Sequence, residues 1–237
     1  MAKDKNKDKE RAREKDSVGA TELLYRLERL ARLLRAEGHA GGLNPAQWEA
    51  LRYLSRANRF SNSPIALTAY LDATKGTVSQ TVKALERKGL IAKTPRAGEK
   101  RSIVLTLTEK AHEALRADPL VQLNETLETL GGKGRRRMAK TADEILAAEA
   151  TRRKLQSFGT CPSCRFFRES SEQGAFCMAF EQPLTAEDIR HICVAHVPRD
   201  TPALVANESK PLPRVPPRPT LVCDNRSGWP APSSMPS

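Results

Sequence analysis

The sequence predicts a mainly α-helical fold with one small β-hairpin, followed by a small cysteine-rich module. Three observations carry this expectation. Apolar residues recur at helical spacing from Thr21 to Leu90, the period changes to two between Ile91 and Thr108, and four cysteines crowd into Cys161 to Cys193.

The 237 residues carry a net charge of +12, and a surplus that large points to a polyanionic partner, nucleic acid ahead of an anionic membrane surface. No apolar run approaches the ~20 residues that span a bilayer. Met1 to Asp16 is charged throughout, unlike a signal peptide. A cytoplasmic protein with no membrane partner is expected. The chain divides into a charged, disordered leader (1–16), a helical domain with the hairpin (17–156), the cysteine-rich module (157–200) and a proline-rich tail, mostly disordered (201–237).

Leu23, Leu27, Leu30 and Leu34 form a narrow leucine stripe on the first helix. After Gly41 and Gly42, Asn44-Pro45-Ala46-Gln47 reads as a helix start. Asn44 is the N-cap, Pro45 the first helical residue, and Gln47 closes a capping box. Trp48, Leu51 and Leu54 supply its buried face. A short helix after Pro64 uses Ile65, Leu67 and Leu71. The next helix runs from Lys75 to Arg87 with Val78, Val82 and Leu85 on one face. Lys88 and Gly89 end it, the glycine suiting a left-handed C′ position. Ile91 to Thr94 and Ser102 to Thr108 read as strands with a tip between them that carries Arg96, Lys100 and Arg101. Thr108 caps a helix over Glu109 to Ala117. Helical segments follow around Leu123 to Leu130 and from about Arg135 to Leu155.

Helix, short helix, second helix and basic hairpin, in that order, make a winged helix-turn-helix. The Lys75 to Arg87 helix buries its apolar face and leaves Lys75, Thr77, Ser79, Gln80 and Lys83 for base edges and phosphates of a major groove. Arg96, Lys100 and Arg101 at the wing are suited to the flanking minor groove or phosphates of double-stranded DNA.

The stretch from Leu43 to Leu115 resembles the MarR family of bacterial transcriptional regulators. The residues that carry the resemblance are Leu43 to Trp48, Lys75 to Ile91, Glu99-Lys100-Arg101 and Leu105 to Ala111. In the wing Glu99 stands where the family usually has aspartate, and Arg101 matches its minor-groove arginine. Ile65 to Ala73 departs from the family's usual start of the short helix. The resemblance implies a homodimer paired through its first and last helices, which gives the Leu23 to Leu34 stripe a partner-facing role. It leaves room for a small-molecule effector.

The cysteine spacing is Cys161-x2-Cys164-x12-Cys177-x15-Cys193. A C-x2-C turn aims two thiolates at one centre, and the later pair completes four ligands. Two occupants fit: structural Zn2+, which usually takes two C-x2-C pairs, and a cubane iron–sulfur cluster held by four cysteines. Phe158, Phe166, Phe167, Phe176 and Phe180 gather around them as an apolar shell. His191 and His196 are expected at the surface, and Cys223 is not expected to be a ligand. Thr185 and Asp188 should cap the helix that delivers Cys193.

The sequence therefore reads as a dimeric, sequence-specific DNA-binding regulator, with repression the expected sense. Its four-cysteine centre is either a structural clip or a sensor of redox state or iron. No catalytic motif marks an enzyme. The rival of another class, a thiol–disulfide enzyme built on Cys161 and Cys164, expects a thioredoxin-like βαβ context that the sequence lacks.

Overall fold

The computed structural model describes residues 18–36, 41–96, 99–170 and 174–199, the side chains of Glu99, Lys100 and Arg101 excepted. The leader, the proline-rich tail and Cys223 lie outside the described residues.

The helix start at Asn44 forms as its chemistry dictates. Asn44 Oδ1 accepts from the Gln47 N–H at 2.9 Å, and Gln47 Oε1 accepts from the Asn44 N–H at 3.3 Å. This box opens α2 (Pro45–Leu54), which follows α1 (Ala20–Ala36). Ser63 caps α3 (Pro64–Tyr70), and Thr74 caps α4 (Lys75–Arg87). At the end of α4 the chain turns through Gly89, whose φ of 69° is the left-handed region that glycine enters at no steric cost. The Leu90 N–H then returns to Leu85 O at 3.0 Å.

β1 (Ile91–Arg96) pairs antiparallel with β2 (Glu99–Leu107), Ile91 lying opposite Leu107. Both strands are longer than the alternating pattern suggested. Thr108 caps α5 (Glu109–Arg116) by accepting the Ala111 N–H. α6 (Leu120–Glu128) and α7 (Gly131–Arg152) follow. Beyond them come a single 3-10 turn (Cys161–Ser163), a sheet in the order β3 (Phe167–Ser170), β4 (Gly174–Cys177), β5 (Gln182–Pro183), and the short α8 (Ala186–Arg190).

The main core joins Trp48, Leu51 and Tyr53 of α2 to Leu67 of α3, Val78, Val82 and Leu85 of α4, Leu105 of β2 and Ala111 of α5. Ile192 and Val194, from the cysteine segment, belong to the same core. Each aliphatic side chain buried there contributes about 1.5–3 kcal/mol before entropic costs. The cysteine segment thus shares the hydrophobic interior of the winged helix. Phe158 seals the junction, its ring edge-on to Tyr53 at 6.2 Å and to Tyr70 at 5.1 Å.

Ile65 corrects the sequence reading. It is 71 % exposed, and α3 buries Ala66 and Leu67 instead. On a helix of seven residues beginning at Pro64, the face towards α2 and α4 falls one position later than the apolar spacing implied. In α1 no residue is buried, and Leu23, Leu24, Leu27 and Leu33 face outward, as do Ile145 and Leu146 of α7. Among the described residues no helix is long and apolar enough to cross a membrane.

One ion pair ties α2 to the α5–α6 corner. Arg52 donates through Nε and Nη2 to the two oxygens of Asp118, both at 2.6 Å, and the Leu120 N–H adds a third bond at 2.9 Å. Burial raises the Asp118 pKa, but the hydrogen bonds from Arg52 and Leu120 and the Arg52 charge outweigh it, leaving a net fall. A carboxyl lowered on folding stabilises the fold above its unfolded pKa, and that stabilisation is lost as pH falls through the folded value. Asp118→Asn should therefore lower stability by about 1–2 kcal/mol at neutral pH. Denaturation curves of variant and parent should converge as pH drops below about 4.

Candidate functional site

The exposed side of α4 presents Lys75, Thr77, Ser79, Gln80 and Lys83 to solvent. The opposite side is locked into the core by Val78, Val82 and Leu85. Thr81, between the two, is buried and gives its hydroxyl to Thr77 O at 3.0 Å. A rigid helix with a hydroxyl, amide and ammonium face is the geometry that a major groove accepts.

The wing behaves differently. Lys100 and Arg101 lie on β2 beside the tip, their side chains outside the described residues. Arg96 is turned back onto the body. Its guanidinium donates to Arg59 O at 3.1 Å and to Asn62 Oδ1 at 3.2 Å. In this structure it braces the wing against the loop between α2 and α3.

That loop, Ser55 to Ser63, is where the two parts of the site meet. Ile192 pairs with Ala57 as an isolated bridge: the Asn58 N–H donates to Ile192 O at 3.0 Å, and the Ile192 N–H to Arg56 O at 2.6 Å. Ser61 Oγ donates to Asn58 Oδ1 at 2.7 Å and accepts the Val194 N–H at 2.8 Å. Asn58 Oδ1 also accepts the Phe60 N–H at 3.2 Å. On the wing side, Asn62 O accepts the Leu105 N–H at 2.8 Å. Arg59 reaches the other way, donating to Pro183 O at 2.6 Å and standing 3.6 Å from an Asp188 oxygen.

The four cysteines come together from three directions. Cys161 and Cys164 close the 3-10 turn through the Cys164 N–H to Cys161 O at 2.9 Å. Cys177 lies across the sheet from Phe167, three residues beyond Cys164. Cys193 bridges Gly159, two residues before Cys161, through its N–H to Gly159 O at 2.9 Å. Thr185 and Asp188 form the expected capping box, which fixes α8. All four cysteines are buried and free of disulfides. Phe60 stacks on Phe180 at 4.2 Å beside Cys177 and Cys193, and Phe166 packs against the same cluster.

Burial pushes the Cys161 thiol up to about 12 and Cys193 to about 11, and it raises Cys177. The next cause for Cys161 is the charge of Cys193, Cys177 and Cys164. Cys193 feels Cys177 and Cys164, and Cys177 feels Cys164. Each of the four is thus within electrostatic reach of the other three. The polar groups of Asn58 and Ala195 near Cys193, and of Phe180 and Ala179 near Cys177, act against burial and favour the thiolate. Three short antiparallel strands and a five-residue helix are not the βαβ context that the thiol–disulfide reading expects. Bound cations would draw the thiols to thiolate. Among the described residues no three histidine, cysteine or acidic side chains are grouped as ligands of one ion.

His196 departs from expectation: it is 5 % exposed. Ser157 Oγ and Ser163 Oγ lie 2.9 Å from its Nδ1 and Nε2, so both ring nitrogens are engaged within the chain. Burial lowers its pKa despite an opposing hydrogen bond from Ser163. His191 is half-buried, 3.8 Å from Glu187.

Sequence reasoning missed Asn58, Ser61, Gly159 and His196. Asn58 and Ser61 belong to no motif of the sequence. Their partners lie more than a hundred residues away, beyond any local pattern.

The fold and this surface define a winged helix-turn-helix with a four-cysteine segment built against it. A sequence model described as MarR family matches residues 41–102, about a quarter of the chain. Among solved structures, the chain is similar to a MarR transcriptional regulator from Methanosarcina mazei Go1, with 16% identity and a TM-score of 0.47, over 59% of this chain and 97% of that one. It is also similar to the S. aureus MepR–DNA complex (20% identity, TM-score 0.44, 55% and 99% covered). A MarR/EmrR family regulator from Acinetobacter sp. ADP1 is a third (21% identity, TM-score 0.44, 55% and 95% covered). No curated protein sequence matches the chain.

A Cβ at Gly159 would stand 2.6 Å from His196 Nε2. Gly159→Ala should therefore lower the melting temperature, and adding His196→Ala should recover part of the loss. A double-mutant cycle read by calorimetry checks it, and simple additivity would count against the contact. If α4 enters a DNA major groove, Gln80→Ala should cost about 1–3 kcal/mol of DNA affinity and relax base choice at one position. Lys83→Ala should weaken all sequences alike. Competition binding across a randomised DNA pool separates the two.

Proposed function

We propose that the protein is a sequence-specific DNA-binding transcriptional regulator that acts as a homodimer in the cytoplasm, at the nucleoid. The observation that carries this reading is α4, anchored by Val78, Val82 and Leu85, with Lys75, Thr77, Ser79, Gln80 and Lys83 exposed. The match of residues 41–102 to the MarR family and the net charge of +12 support it.

The outward leucines of α1 and the exposed Ile145 and Leu146 of α7 support pairing of two chains through the first and last helices. Two recognition helices related by a two-fold axis then read a pseudo-palindromic site, with half-sites about 34 Å apart. Repression is the proposed sense. The four cysteines are proposed as a metal centre, Zn2+ or iron–sulfur, that clips the segment onto the winged helix or reports redox state or iron.

A second reading keeps a structural zinc and assigns signalling to a small molecule. Such a molecule would have the open depression lined by Arg52, Arg56, His112, Leu115 and Asn124 as its place.

Selection of bound fragments from a random DNA pool, followed by footprinting, tests the regulator reading. Two protected half-sites one helical turn apart are expected. Protection without sequence preference would make the protein a general DNA binder instead. At the wing, Arg101→Ala should weaken operator binding and reduce the salt slope by about one if it neutralises one phosphate.

A further inference from the structure

We propose that α7 carries a second nucleic-acid surface, a stripe of Lys133, Arg136, Arg137 and Lys140 that takes the phosphate backbone of duplex DNA outside the groove read by α4. The surface goes beyond the regulator reading and stands if that reading fails.

The first argument is spacing. The four cations fall at i, i+3, i+4 and i+7 of a 22-residue helix, so they share one face. All four are exposed. No acid lies between Glu128 and Asp143. Among the described residues Lys133, Arg136 and Arg137 have no ion-pair partner. Lys140 stands 3.9 Å from Glu144, an exposed pair that salt screens. Arg135 lies on another face and is already held, donating to Glu128 O at 3.1 Å and to its carboxylate at 2.5 Å. It fixes the α6–α7 corner and leaves the stripe free.

The second argument is cost. α7 opens without a side-chain cap and with Gly132 and Gly134, poor helix formers, in its first turns. Lys133 then sets a cation at the positive end of the helix dipole, where an acid would stabilise. Lys133 with Arg137, and Arg136 with Lys140, are like charges four residues apart, which repel. Each feature weakens the helix by itself, and a row of phosphates relieves the repulsion. The stripe is about 10 Å long, the length over which one DNA strand sets about three phosphates.

The third argument is place. Met138, Ile145 and Leu146 are exposed on the opposite face of α7, so a second chain can cover them and leave the stripe open. The far end of the helix is tied to the α3–α4 turn by an ion pair between Arg153 and Asp72. Lys140 and Lys133 lie about 20 and 30 Å along the helix from that contact. A recognition helix reads bases through its N-terminal residues in a groove about 12 Å wide, so the stripe addresses backbone away from that reading end. An anionic bilayer is the lesser fit. A helix lying in one buries a broad apolar face, and α7 offers three large apolar side chains that chain pairing covers.

The test uses the full chain at about 0.15 M salt, where screening acts within about 8 Å. Lys133→Ala, Arg136→Ala, Arg137→Ala and Lys140→Ala combined should reduce the salt slope for a non-operator duplex by about three. An unchanged slope would overturn the surface. Arg135→Ala removes a cation off the stripe and should leave the slope as it is. A loss equal to that of Arg136→Ala would show that net charge binds, not the stripe. Should the alanine set disturb the α6–α7 corner, glutamine at the same four positions gives the same readout.

An operator trimmed to its half-sites should bind the combined variant as tightly as the parent. Either a flanked operator or a separate duplex added to the trimmed complex should reveal the difference, and the arm that responds identifies the DNA segment held. Equal weakening on the trimmed operator would place the stripe within the α4 contact and overturn its separateness. Stripe-dependent binding to phosphatidylserine vesicles, with none to duplex, would give the surface to a membrane instead. Stripe-dependent duplex binding by a parent that shows no sequence preference would sink the regulator reading and leave this surface standing.

Discussion

A buried loop must find a partner for each polar group it carries out of water, and that requirement organises this molecule. The turn between α2 and α3 is such a loop, with Asn58 and Ser61 almost wholly enclosed. The helices satisfy only part of it. The cysteine segment supplies more, through the Ala57–Ile192 bridge and the Val194 N–H bond to Ser61 Oγ. Hydrogen bonding and hydrophobic burial then reinforce each other, since the residues that complete the polar network, Ile192 and Val194, also complete the core. Tyr53 belongs to the same arrangement, giving its hydroxyl to Ser61 O at 2.8 Å.

Two kinds of surface follow. The outward face of α4 is polar and charged while its packing face is rigid, which lets side chains vary without disturbing the fold. Beyond its own strand pairing, the wing is held by Arg96, whose guanidinium bridges to Arg59 and Asn62. An arginine used this way fixes geometry while these two partners, both neutral oxygens, leave its charge uncancelled. Arg59 does the matching work on the other side, lying 4.7 Å above the Phe60 ring while it holds Pro183 and Asp188.

Local chemistry was readable in the sequence wherever cause and effect lie within a few residues. The capping boxes at Asn44 and Thr185, the limits of α4 and the glycine turn after it all follow from short-range rules. Ile65 was misread because a seven-residue helix is too short for spacing to define its inward face. His196 was misread because a histidine beside a cysteine gives no sign of the two serines, one thirty-three residues before it and one thirty-nine, that enclose it. The docking of the cysteine segment onto the α2–α3 loop was invisible for the same reason, magnified. Only the clustering of the thiols, not their seat, was written locally.

The shared core also sets an order of events during synthesis. Residues from Leu43 to Leu115 can form their helices and hairpin as they emerge, but the interior stays open on one side until Ile192 and Val194 arrive. About 80 residues separate the two, which at 5–20 residues per second is a delay of roughly 4–16 s. For that interval the nascent chain exposes an unfilled seam beside Trp48 and Tyr53, together with a loop whose serine and asparagine lack their partners. The outward face of α4 thus rests on an interior that reaches its final packing only after the thiols have been made, an order imposed by the direction of translation itself.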